Sequence, residues 1–155
     1  MEIGMNDDEI MIKAVPNFLD LKNFIFDGVR SATFGIIKNN NNQASIIHYE
    51  STNKKYSNFY NNSQEARMCH IVHTAAKRSK YSNNFTLIWD LLIPDNEESV
   101  FMNERRIELD HCNGVTIFNN ISSELLLCAT FTGPQNDVNF AANLLRNKDL
   151  RNIMC

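Results

Sequence analysis

The sequence predicts an α/β domain of the α+β kind, an α-β-α sandwich built around an antiparallel sheet of about five strands. Three features carry that prediction. Phe85 to Trp89 and Val115 to Phe118 are rich in β-branched and aromatic residues, which suit a pleated, half-buried surface. The stretch Asn119-Asn120-Ile121-Ser122-Ser123 is short and polar, so Phe118 and Glu124 can be joined as an antiparallel hairpin. Apolar residues at helical spacing occupy much of what remains.

Taken in order, Ile12, Val15, Leu19, Leu21 and Ile25 recur at roughly helical spacing, with Pro16 opening a second helix or kinking one. This end is expected to lie across the sheet. Thr33 to Ile37 reads as the first strand and Ala44 to Tyr49 as the second. The polar tract Lys38-Asn39-Asn40-Asn41-Asn42-Gln43 between them reads as a hairpin turn with no packing surface. Asn53 to Ser79 is mainly helical with a break near Asn61-Asn62-Ser63. Tyr56 and Tyr60, four apart, share one helix face, and Ala66, Cys69, His70, His73 and Ala76 form a similar stripe. Phe85 to Trp89 is the third strand. Pro94 to Ser99 enters a weakly amphipathic helix through an acidic first turn. Asn113-Gly114 is a helix stop, because glycine just past a helix accepts a left-handed backbone. Leu125 to Ala129 reads as a strand buried on both faces, although a short apolar run can also be buried helix. A last helix begins beyond Gly133-Pro134 and presents Val138, Ala141, Leu144 and Leu145 to the sheet or to another subunit.

At 155 residues the chain is expected to be one domain spanning 1–155, large enough for a core and an internal pocket. A net charge of -3 gives no broad electrostatic footprint for nucleic acid. The local cluster Lys77-Arg78-Ser79-Lys80 reads as a solvated helix end whose cations oppose the negative end of the helix dipole. The acidic N-terminus lacks the features of a secretory signal, and no apolar stretch approaches the roughly 20 residues that span a bilayer. A cytoplasmic protein is expected. Cys69, Cys112, Cys128 and Cys155 show no CxxC spacing and read as free thiols, Cys128 as core packing. Cys69, His70 and His73 do not complete a tetrahedral zinc site, so neither metal nor cofactor is expected. Neighbouring Cys-His pairs on a helix point about 100° apart, which suits no nucleophile and base, and no enzymatic activity is expected.

The order Phe85-Thr86-Leu87-Ile88-Trp89-Asp90, His111-Cys112-Asn113-Gly114-Val115-Thr116-Ile117-Phe118 and Glu124 to Phe131 resembles the ligand-binding half of LuxR-type quorum-sensing regulators. The resemblance covers most of Ile46 to Leu145 and implies a PAS/GAF-like sandwich that buries its ligand. That family carries Tyr-x3-Trp-x3-Tyr on a helix, followed by Asp-Pro and two apolar residues. The matching positions here hold Thr52, Tyr56 and Tyr60, then Cys69, His70, Ile71 and Val72. The resemblance further implies that Trp89 lies near the ligand ring and that Thr130 reaches an acyl carbonyl.

The family's aspartate accepts from the amide of an acyl-homoserine lactone, and Cys69 offers only weak sulfur in its place. Losing a charge-assisted bond of that kind costs on the order of 1.5–3 kcal/mol. The expected ligand-binding set is Thr52, Tyr56, Tyr60, Cys69, Ile71, Val72, Trp89 and Thr130, around an apolar signal that is an acyl-homoserine lactone or a different molecule. The chain stops at Cys155, so the family's helix-turn-helix DNA-binding domain is not expected within it, nor direct nucleic-acid or membrane binding. The alternative is a ligand-independent protein that pairs with and modulates a full-length LuxR-type regulator through the helix near Pro134; the expected partners are a second copy, as a homodimer, or such a regulator, as a heterodimer.

Overall fold

Strands form where β-branched and aromatic residues concentrate, and their pairing makes one antiparallel sheet. The computed structural model describes residues 28–40, 43–62 and 69–146. In chain order these give β1 (Ser31–Asn40), β2 (Gln43–Ser51), α1 (Lys54–Asn62), α2 (His70–Arg78), β3 (Asn84–Ile88), a 3-10 turn (Trp89–Leu91), α3 (Glu97–Glu108), β4 (Gly114–Asn120), β5 (Leu125–Thr132) and α4 (Phe140–Leu145). The five strands lie in the order β2-β1-β5-β4-β3, an α+β arrangement of the class expected. Among the described residues no helix is long and apolar enough to cross a membrane.

β5 is central, hydrogen-bonded to β1 on one side and β4 on the other, which is why its apolar run needs two buried faces. Leu125, Ala129 and Phe131 point to one core with Ala32, Phe34, Ile36 and Val115, closed by Phe140 and Leu144 of α4. Leu126 points to the other, with Ile37, Leu87, Phe118 and the helical residues Ile71, Val72 and Ala75. Partner register shifts beside Ile36 and Ile37, so β2 carries one extra residue, a bulge of the kind that bends a strand.

Two helices start on side-chain caps. Asn53 Oδ1 accepts the Tyr56 N–H at 3.1 Å, and Asn96 Oδ1 accepts the Ser99 N–H at 2.8 Å. Each cap contributes about 1 kcal/mol. Glu97 and Glu98 form the acidic first turn of α3, while Lys77 and Arg78 close α2 as exposed cations.

Several sequence expectations change. The polar tract after Ile37 is mostly strand, since pairing continues to Asn40 opposite Gln43. Asn39 also packs, donating to the Ala76 carbonyl at 3.3 Å and to Ser79 Oγ at 3.4 Å. Trp89 begins the 3-10 turn instead of ending β3. The left-handed residues after α3 are Asp110 and Asn113, with φ of 54° and 53°, and Gly114 is the first residue of β4. Aspartate and asparagine tolerate that conformation better than other side chains, so the helix ends without a glycine. Val138 is 91% exposed because α4 begins two residues after it, and Phe140 takes the buried position. Ile12 to Ile25 and Ala66 lie outside the described residues.

Candidate functional site

The sheet face beneath α1, α2 and α3 changes character along the strands. At one end sit Ser31, Thr33, Ser51, Thr116, Thr130 and Thr132; at the other, Ile37, Ile46, Leu126 and Phe118. The hydroxyls satisfy one another. Thr116 pairs with Thr130 at 2.7 Å, Thr33 with Ser51 at 2.8 Å, and Ser31 with both Thr132 and His111 Nδ1. Trp89 Nε1–H donates to Thr116 Oγ1 at 2.9 Å, which ties the indole to the polar end of the floor.

A cavity of about 50 Å³ lies between this floor and the helices. Its walls include Tyr49, Tyr56, Tyr60, Cys69, Ile71, Val72, Trp89, Arg106 and His111. The aromatic rings pack closely. Tyr56 stacks on His111 with centroids 4.0 Å apart, and Tyr49 stacks on Tyr60 at 4.8 Å. Such a volume holds a few waters, whereas drug-sized ligands occupy roughly 300–1,000 Å³. A larger ligand requires the tyrosines of α1 and β2 to move apart.

Arg106 dominates the electrostatics. It is 1% exposed, projecting from the buried stripe of α3 that also carries Ser99 and Met102. Nη1–H donates to Cys69 Sγ at 3.3 Å; Cys69 holds the N-cap position of α2 but makes no capping bond, which leaves its sulfur available. Nη2–H donates to His70 Nδ1 at 3.3 Å, and since guanidinium has no acceptor, His70 must be neutral there with its proton on Nε2. The guanidinium carbon lies 5.4 Å over the Trp89 ring, and among the described residues Nε–H has no acceptor. Among the described residues no carboxylate pairs with Arg106; the arginines that do pair with carboxylates are Arg30, with Asp110, and Arg105, with Glu108.

The surrounding groups respond to burial and to this cation. His111 is pushed down to about 3 by burial and by Arg106, and His70 to about 4 by the same two causes. Burial holds the Tyr56 phenol well above its ordinary value, against the pull of Arg106. The Cys128 thiol is pushed up to about 12 by burial, so it is protonated and a poor nucleophile.

Of the residues expected from sequence, Tyr56, Tyr60, Cys69, Ile71, Val72, Trp89 and Thr130 line this one cavity. Thr52 does not. Its hydroxyl turns to the backbone of Ala32, accepting the N–H at 3.0 Å, because it follows β2 at the sheet edge instead of sitting inside α1. Sequence reasoning missed Arg106, His111, Tyr49, Thr33 and Thr116. One signal was available for Arg106: it lies four residues after Met102 and seven after Ser99, a spacing that places a charge on the core stripe of a helix.

Gly114 has a packing role here. A Cβ at this position would stand 2.4 Å from Trp89 Cδ2, so any side chain must displace the indole from the cavity wall. Gly114→Ala is expected to destabilise by about 1–3 kcal/mol through overpacking and to shift the emission of the sole tryptophan. An unchanged spectrum with unchanged stability would contradict this packing.

In comparisons with known proteins, the chain matches no family model and no curated protein.

Proposed function

We propose that this domain senses a small molecule in the manner of the LuxR-type receptor domains that its sequence resembles. The observation that supports the reading is convergence. Seven of the eight residues that the family resemblance implied, spread from Tyr56 to Thr130, meet around one cavity. The graded floor suits a ligand with a polar head and an apolar tail, an acyl-homoserine lactone or a different signal. In this reading the protein is cytoplasmic and acts by exposing or ordering a surface for a regulator or a second copy.

Thermal unfolding with acyl-homoserine lactones and with apolar extracts tests the proposal. A ligand at a hundred times its dissociation constant stabilises by about 2.7 kcal/mol. A rise of several degrees is expected with the cognate compound. No rise with any compound would count against ligand sensing.

The small cavity favours a second reading, a ligand-independent partner of a full-length LuxR-type regulator. On the helix beyond Pro134, Ala141, Leu144 and Leu145 pack on the sheet and leave less apolar surface for a partner. Leu91 and Ile93 are 75% and 87% exposed and offer apolar contacts instead. Mixing with a purified regulator and finding no complex would remove this alternative.

A further inference from the structure

We propose that the cavity takes a small amphipathic carboxylate, its anionic end on Arg106 and its apolar end over Ile37, Ile46 and Val72. This deepens the sensing proposal and rests on it.

The first ground is the state of Arg106. A guanidinium carries a full charge and five donors, and burying it is costly unless an anion and good acceptors surround it. Here it is 1% exposed and lines the cavity. Its neighbours are a thiol and a neutral imidazole, both at 3.3 Å, and the uncharged Tyr56 phenol, and among the described residues Nε–H has no acceptor. The edge formed by Nε and a terminal nitrogen is one of those that carboxylates engage with two parallel bonds.

The second ground is the contrast with the rest of the site. Each floor hydroxyl and the Trp89 N–H has a partner within the protein, so the polar end is already satisfied except at the cation. Both neighbouring histidines are held neutral, which leaves one positive charge facing the cavity. A neutral lactone supplies oxygens but no charge. A carboxylate supplies both.

The third ground is direction. Thr33, Thr116 and Thr130 lie at the end of the floor tied to Trp89, whose ring faces Arg106, while Ile37 and Ile46 lie further along β1 and β2. A ligand anchored on the guanidinium therefore runs its chain over apolar ground, and an eight-carbon acid does so only when Tyr49, Tyr56 and Tyr60 move apart to enlarge the cavity of about 50 Å³.

The test is calorimetry and thermal unfolding of the whole chain with octanoate, methyl octanoate and octanoyl-homoserine lactone. Octanoate is expected to bind about ten- to a hundred-fold more tightly than its ester, the range of a charge-assisted bond. Arg106→Gln should abolish that preference, and Arg106→Lys should keep part of it, since lysine retains the charge without the fork. Cys69→Asp places an internal carboxylate beside Arg106 and should weaken octanoate binding by competing for the cation. This variant and Arg106→Lys decide the matter if Arg106→Gln does not fold. Equal binding of acid and ester, or octanoate binding undiminished in Arg106→Gln or Cys69→Asp, would overturn the assignment. Lactone binding without any acid preference overturns the anion alone and leaves the sensing proposal standing. Failure of all three probes counts against both.

Discussion

Acidification from pH 7 to pH 3 is expected to remove up to about 5 kcal/mol of stability through His111 alone. Its folded-state value is about 3, against an unperturbed value of roughly 6.5. Between those limits the unfolded chain binds the proton and the folded protein does not, so stability is intact above about pH 6.5 and falls as the pH drops toward 3. A difference of about 3.5 units at about 1.4 kcal/mol each gives the stated loss. The groups around the imidazole explain why it resists protonation: Ser31 of β1 at Nδ1, the stacked Tyr56 ring of α1, the Trp89 indole and the Arg106 cation of α3. Among the described residues no anion joins them. His70, held down to about 4, adds a loss of the same sign. Urea unfolding at pH 7 and pH 4 measures the slope, and His111→Phe should flatten it while retaining the stack on Tyr56. A midpoint indifferent to pH, or a slope unchanged in the variant, would refute this account.

Phe131→Ala is expected to cost about 3–5 kcal/mol, the range for deleting a buried aromatic ring. Phe131 is fully buried on central β5, opposite Ala32 on β1 and Val115 on β4. Both neighbouring strands hold their backbones through β5, so they cannot collapse into the cavity the ring leaves. Domains of this size have roughly 5–15 kcal/mol in total, so the variant should lie close to its unfolding midpoint at moderate temperature. Val138→Ala is the control, since a side chain that is 91% exposed should change stability by less than about 0.5 kcal/mol. A cost below about 1 kcal/mol for Phe131→Ala would mean that the sheet is not packed as described.

The strands were legible because their signal is local. Val115 to Phe118 is β-branched or aromatic and Leu125 to Ala129 is apolar because both are buried, and the short turn between them forces antiparallel pairing. Boundaries were less so. Asn39 looked like loop because an asparagine run carries no periodicity, yet α2 supplies acceptors for its amide through Ala76 and Ser79. Gly114 was read as a helix stop because glycine has two uses that look alike in sequence, left-handed backbone and close approach. Only the position of Trp89 separates them.

The same division runs through the site. Tyr56, Tyr60, Cys69, Trp89 and Thr130 could be singled out through the family resemblance, whereas Arg106 could not be weighed without knowing what faces it. Sequence by itself determined the α+β class, the antiparallel hairpins and the aromatic and small polar residues available to a pocket, because propensity and alternation act over a few residues at a time. Tertiary structure alone decided that a guanidinium would stand beside a cysteine 37 residues earlier in the chain and over the one tryptophan, with no carboxylate paired to it among the described residues. Charge compensation depends on distances through space, and those exist only once α3 has docked on the sheet.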